Sequence, residues 1–256
     1  MLGGIERRGT RGGLRAAPPP LLSPRLRPAL AVLVAACAGL TLALGLLFAG
    51  QAHPGGTDVA VDRWFRTGLD AHQTVLGLLA DLGDGGPVAL ITAALIVACA
   101  ATRRWWGCVL TAVAEPAAAG LTEFVLKPAT GRTMNGMLSY PSGHATAMFA
   151  LATISAILLL GSSGKPGGPG GPGGPGSTSR RRAVPPAVRA VLALAVYVLA
   201  TAVAVAMIAI GAHYFTDAVG GTAVGTGVAL AVAFVIDGAR HIAAVRRSQA
   251  AGGLGG

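Results

Sequence analysis

Tyr140-Pro141-Ser142-Gly143-His144 opens an apolar run, and about seventy residues later His213 is followed four positions on by Asp217. Imidazole exchanges protons near neutral pH, and a carboxylate one helical turn away can orient the ring and support its charged form. Lys127 and Arg132, two fixed cations, precede the first histidine, while Ser142, Gly143 and His144 bring a hydroxyl and backbone N–H groups to a helix start. Unpaired N–H groups and the helix dipole at such a start bind anions. These residue types describe a phosphate-binding pocket with two working imidazoles.

Both histidines fall at the mouths of segments long and apolar enough to cross a bilayer, where an ionisable ring is costly unless it pairs or performs chemistry. Apolar residues make up 53% of the chain and charged ones 12%, a composition that excludes an ordinary soluble domain. The formal charge is +10, yet the arginines gather at the two ends and between apolar segments, with no broad stripe of interleaved aromatics. Anionic lipid headgroups account for that placement and nucleic acid does not. Cys37, Cys99 and Cys108 lie in or beside apolar runs without metal-ligand spacing and read as small core residues.

The elements that must position the site follow from the apolar runs. Residues 1–28 are basic, proline-rich and read as a disordered tail. Residues 29–50 form an uncharged run that matches a first membrane span; it is longer than the apolar part of a cleaved signal, the lesser alternative. Residues 58–82 place Val61, Phe65, Leu69, His72, Leu76 and Leu79 at helical spacing with Asp62, Arg66 and Asp70 elsewhere on the wheel. That pattern predicts an amphipathic helix on the membrane surface or capping the bundle. After the break at Asp84-Gly85-Gly86-Pro87, further spans are expected at 88–102, 108–126, 145–160, 188–210 and 218–236. Arg103-Arg104-Trp105-Trp106 is an interface anchor, and Gly-Gly-Pro repeats mark 163–183 as a linker between spans four and five. Residues 241–256 read as a flexible tail.

The sequence therefore predicts an all-α fold: a six-transmembrane-helix bundle over residues 29–240, with an amphipathic extracytoplasmic helix after the first span. When six spans alternate, every arginine cluster falls on one side, which places both termini in the cytoplasm. The amphipathic helix, the 127–144 loop and the His213 to Asp217 turn then share the opposite side. In the third span, Glu123 precedes Lys127 by four residues and can pair with it; Glu115 reads only as an intramembrane polar contact. His53, His72 and His241 lack a motif context and read as interfacial or packed rings.

Lys127-Pro-Ala-Thr-Gly-Arg132, Tyr140-Pro-Ser-Gly-His144 and His213-Tyr-Phe-Thr-Asp217 resemble, in order and spacing, the three signature segments of the type 2 phosphatidic acid phosphatase superfamily. The resemblance covers roughly residues 60–236. It implies a membrane lipid phosphate or diphosphate phosphatase with no cofactor and no metal. His213 would attack phosphorus to give a phosphohistidine, Asp217 would orient it, and His144 would protonate the leaving group and then activate water. Lys127, Arg132, Ser142 and Gly143 would bind the phosphate. The expected partners are a lipid phosphate substrate and the bilayer, at the outer face of a plasma membrane, and undecaprenyl diphosphate, phosphatidic acid and phosphatidylglycerol phosphate are all candidates.

Two departures stand out. The family's first segment carries an arginine seven residues after its lysine, where this chain has Met134, and its third carries one six residues before the histidine, where this chain has Met207. Losing one donor to the transition state costs on the order of 3 kcal/mol, about a hundredfold in rate. Arg132, two residues from the first missing position, is the candidate substitute. The alternative is a catalytically weakened member that binds phospholipid headgroups without turnover. A small transporter, raised by Glu115 and Glu123, lacks an inverted repeat.

Overall fold

Without water to bond to, a backbone in an apolar setting must satisfy its own N–H and C=O groups, which selects helices for runs of Ala, Leu and Val. The computed structural model of the chain describes residues 20–161 and 184–252 and is built almost entirely this way. Helix α1 spans Arg27–Leu47, entered through Pro28. Helix α2, Gly56–Leu69, turns through a 3-10 step at Asp70–His72 into α3, Gln73–Leu82, and α4 covers Gly85–Ala101. Helix α5, Trp105–Leu121, continues through a π turn at Thr122–Leu126 into α6, Lys127–Thr130. A short hairpin follows, β1 at Thr133–Met134 against β2 at Met137–Leu138, its reversal made by Asn135 and Gly136 at φ 52 and 78. Helices α7, Gly143–Leu160, α8, Pro186–Ala209, and α9, Phe215–Gly252, complete the bundle.

Among the described residues, five helices are long and apolar enough to cross a membrane, and six if Gly56–Leu82 and Gly85–Ala101, bent by 55°, count together as one. The span predicted over 88–102 is the one that does not qualify alone, because α4 has 17 residues. Large apolar side chains face outward along the helices, among them Leu46, Leu90, Val97, Leu194 and Val235, as lipid contact requires.

Helix α7 is the centre of the bundle: nearly every residue from Ala145 to Leu158 is buried. Two apolar clusters meet on it. One joins Met148, Phe149 and Leu151 to Val203 and Ile208 of α8; the other joins Ile154 and Leu158 to Leu110 of α5 and Leu230 of α9. Small residues let α9 lie backbone-to-backbone on α7, since a Cβ at Gly221 would strike the Ser142 carbonyl and one at Gly225 the Thr146 carbonyl. Basic residues gather at the far end of α7 from His144. Arg104 donates to the Leu158 carbonyl, Arg189 to that of Gly161, and Arg27 and Arg240 both reach Asp237.

Three expectations change. The chain is already fixed within the expected N-terminal tail: Leu22 is buried, and the Leu21 and Leu22 N–H groups donate to the two carboxylate oxygens of Asp237. A buried carboxylate needs donors, and this stretch supplies them. Residues 1–19 of that tail and the predicted linker at 163–183 lie outside the described residues. At the other end α9 continues helical past residue 240 to Gly252. The buried face of the amphipathic segment also differs. Phe65, Leu69, Leu76 and Leu79 do pack on Ala206 and Ala209 of α8, but Asp58 and Asp62 are buried with them because they cap another helix.

Candidate active site

The N-terminus of α9 explains those buried acids. Three carboxylates bind its first N–H groups: Asp62 accepts from Phe215, Asp58 from Thr216, and Asp217 reaches back to Tyr214, at 3.0, 2.9 and 3.1 Å. Such caps satisfy donors that no turn of the helix can reach. The cluster would repel itself without a cation, and Arg132 supplies one. Its guanidinium forks to Asp58 and Asp217 at 2.6 Å each and donates to the Thr216 hydroxyl, with Phe48 and Tyr214 stacked at 4.1 and 4.5 Å. Gly131 at φ 62 ends α6 and sends Arg132 inward. Burial pushes the phenols of Tyr140 and Tyr214 up, Asp217 adds to the rise and Arg132 offsets it. Both therefore stay hydroxyl donors, Tyr140 to the Thr41 carbonyl of α1.

Asp217 carries this network to the chemistry. Its second oxygen faces Nδ1 of His213 at 3.6 Å, an ion-pair distance longer than a hydrogen bond, and Nδ1 has no hydrogen-bond partner among the described residues. With Nδ1 turned to Asp217, Nε2 is the ring nitrogen left for the cavity that His213 lines. His213 and His144 stand with ring centroids 6.4 Å apart. Near-attack contacts of about 3–3.5 Å on each side of one phosphorus span about 6–7 Å, so the two rings can serve a single phosphoryl group.

Both rings line a cavity of about 430 Å³, together with Lys127, Gly143, Ser139, Met134 and Met207. His144 Nε2 is 3.0 Å from Asp84, at the turn before α4, and Lys127 Nζ pairs with Glu123 at 2.7 Å, as the four-residue spacing predicts. Glu123 also fits against Gly143, where a Cβ would come within 2.7 Å of its carboxylate.

The seven predicted site residues thus divide. His144, His213, Lys127 and Gly143 converge on the cavity, and Asp217 stands directly behind His213. Arg132 and Ser142 do not line it. Arg132 is fully buried with its fork occupied by carboxylates, so the substitute role expected of it fails: the α9 caps claim the guanidinium first. Ser142 is equally buried, and its hydroxyl caps α7 by accepting from the Ala145 N–H. Met134 and Met207 do lie on the cavity wall. Sequence reasoning missed Asp58 and Asp84. Asp84 read as part of a helix break and Asp58 as the edge of an amphipathic face; only the fold brings Asp84 to His144 and Asp58 to Arg132 and the start of α9. His53, His72 and His241 are exposed and stand apart from the cavity.

Among the described residues, helices long and apolar enough to cross a membrane surround one cavity that carries paired imidazoles and a lysine, as a multi-pass membrane protein with a polar site would have. Residues 117–240 match the PAP2 superfamily, which is consistent with the type 2 phosphatidic acid phosphatase resemblance of the three motif segments. Asp58 and Asp84 both come from outside the matched stretch. No curated protein and no solved structure matches the chain.

Proposed function

We propose that the chain is a metal-independent lipid phosphate or diphosphate phosphatase working through a phosphohistidine at the outer face of the plasma membrane. The convergence of His144 and His213 on one cavity, from segments far apart in sequence, carries this reading. His213 Nε2 forms an N–P bond as the P–O bond to the lipid breaks, and the leaving oxygen takes a proton from His144. Neutral His144 then accepts a proton from water, whose oxygen bonds to phosphorus as the N–P bond breaks. Inorganic phosphate leaves and both rings are restored. Asp217 faces Nδ1 and stabilises the charge that develops on His213. Lys127 and the first N–H groups of α7 receive the phosphate oxygens.

Sidedness is supported by the two ends of α7. His144 opens that helix and the arginine contacts cluster at its close, about 25 Å away along an 18-residue helix. Basic residues favour the cytoplasmic side, which leaves the cavity outside.

Purified protein in detergent, supplied with phosphatidic acid, phosphatidylglycerol phosphate and undecaprenyl diphosphate in the presence of a chelator, is expected to release phosphate. Release should vanish in His213→Ala. A second reading, headgroup binding without turnover, is favoured by Met134 and Met207 on the cavity wall and by the inward turn of Arg132. Binding without release in the unmutated protein would select it.

A further inference from the structure

Charge on the cavity wall is unusual for a phosphate pocket. Three carboxylates line it, Asp84, Glu115 and Glu123, against one ammonium, Lys127, and two imidazoles. Asp84 is paired with His144 and Glu123 with Lys127. Glu115 differs: it is 8% exposed, faces the cavity from within α5, and has no hydrogen-bond or ion-pair partner among the described residues. An unpaired carboxylate removed from bulk water is expensive unless something else pairs with it. No described residue does.

Its position along α5 indicates what would. Glu115, Ala119, Glu123 and Lys127 succeed one another at four-residue steps, and all line the cavity. Val88 and Ala147, each about one turn inside its own helix, line it as well, so Glu115 reaches the cavity at its deep end, below the histidines. A phosphate held by Lys127 and the imidazoles therefore leaves Glu115 facing the next part of the same molecule. Asp84 and Glu123 already have partners in His144 and Lys127, so Glu115 is the wall carboxylate left to receive a positive group carried by the occupant itself.

We propose that Glu115 is the specificity residue for a lipid phosphate that also carries an amine, its carboxylate receiving the ammonium group while the phosphate lies between His144 and His213. This rests on the phosphatase reading for turnover, but the subsite is a binding claim that can be separated from it. The probes are two long-chain amino-alcohol phosphates, identical except that one has a free amine and the other the N-acetyl amide. In detergent micelles the full chain should show a kcat/KM ratio favouring the free amine by about tenfold or more, the scale of one charge-assisted hydrogen bond. In Glu115→Gln that ratio should fall to near one, and Glu115→Asp should keep part of it.

A ratio near one in the unmutated protein, or a ratio that Glu115→Gln leaves unchanged, overturns the subsite. If neither ester is hydrolysed, direct binding of both to the unmutated protein and to Glu115→Gln decides. Preference for the amine that disappears in the variant sustains the subsite while the phosphatase reading falls. Equal binding of the two esters overturns the subsite as well.

Discussion

Arg132→Met tests whether this guanidinium holds the fold or the substrate. The change leaves Asp58 and Asp217, both fully buried, without their shared cation, and it removes the stack between Phe48 and Tyr214. Removing one partner of a buried pair costs about 3–5 kcal/mol, because the remaining charge has neither water nor a counter-ion. Two carboxylates lean on one guanidinium here, so the upper part of that range applies. For a chain of this size such a loss lowers the unfolding temperature on the order of 10 °C. Thermal unfolding in detergent reads it directly. Adding Asp58→Asn removes one of the stranded charges, so the double variant should lose less than the sum of the two single losses. Arg132→Lys should fall between, since an ammonium cannot reproduce the fork. An Arg132→Met protein that melts with the parent, while only its KM rises, would place the guanidinium on the phosphate and refute this argument.

Asp84→Ala leaves His144 Nε2 without its 3.0 Å partner, and kcat should fall by about tenfold, short of the roughly 10²–10⁴-fold of losing a general acid altogether; an unchanged kcat would make the contact incidental. Met134→Arg places a guanidinium on the cavity wall at the position where the motif resemblance expects one, and phosphate release from phosphatidic acid should rise, by up to about a hundredfold. No gain there would show that the wall position does not face the phosphoryl group. Gly225→Ala drives a methyl group into the Thr146 carbonyl and the Ala150 N–H of α7, at a cost of about 1–3 kcal/mol in thermal unfolding. Gly77→Ala on α3, with open space around it, is the control and should be neutral or slightly stabilising.

The helices and the two histidines were legible because each depends on local pattern. An uncharged run of bilayer length is a helix wherever it packs, and Pro-Ser-Gly-His before such a run is a helix start on its own terms. The Glu123–Lys127 pair was readable for the same reason, its spacing being a property of one helix. Arg132 was misread because a cation beside phosphate-binding residues and a cation beneath them look alike in sequence. What separates them is the demand of Asp58, from a different helix, for a counter-charge at the α9 N-terminus. Asp84 was hidden by its own context, since Asp-Gly-Gly-Pro signals a chain break whether or not the carboxylate has work. The buried face of α2 was concealed likewise: burial there follows helix capping, which hydrophobic periodicity cannot report.

Donor accounting then shows where phosphate affinity must come from. Lys127 has three N–H donors, and its contacts to both oxygens of Glu123, at 2.7 and 2.9 Å, engage two of them. Arg132 is withdrawn, the Ser142 oxygen is engaged in capping, and Met134 and Met207 donate nothing. What remains is one lysine N–H, the Ser139 hydroxyl, which lines the cavity without a partner among the described residues, the first-turn N–H groups of Gly143 and His144, which no intrahelical carbonyl can reach, and the His144 ring nitrogen that does not face Asp84. Backbone donors at a helix start are fixed in direction and do not reorganise as charge develops, so they favour a transition state whose oxygens lie along the α7 axis. The α7–α9 contact at Gly221 and Gly225 is what holds that axis against His213. Loosening it should therefore lower kcat more than it raises KM, because binding can follow a shifted lysine while in-line attack cannot follow a shifted helix.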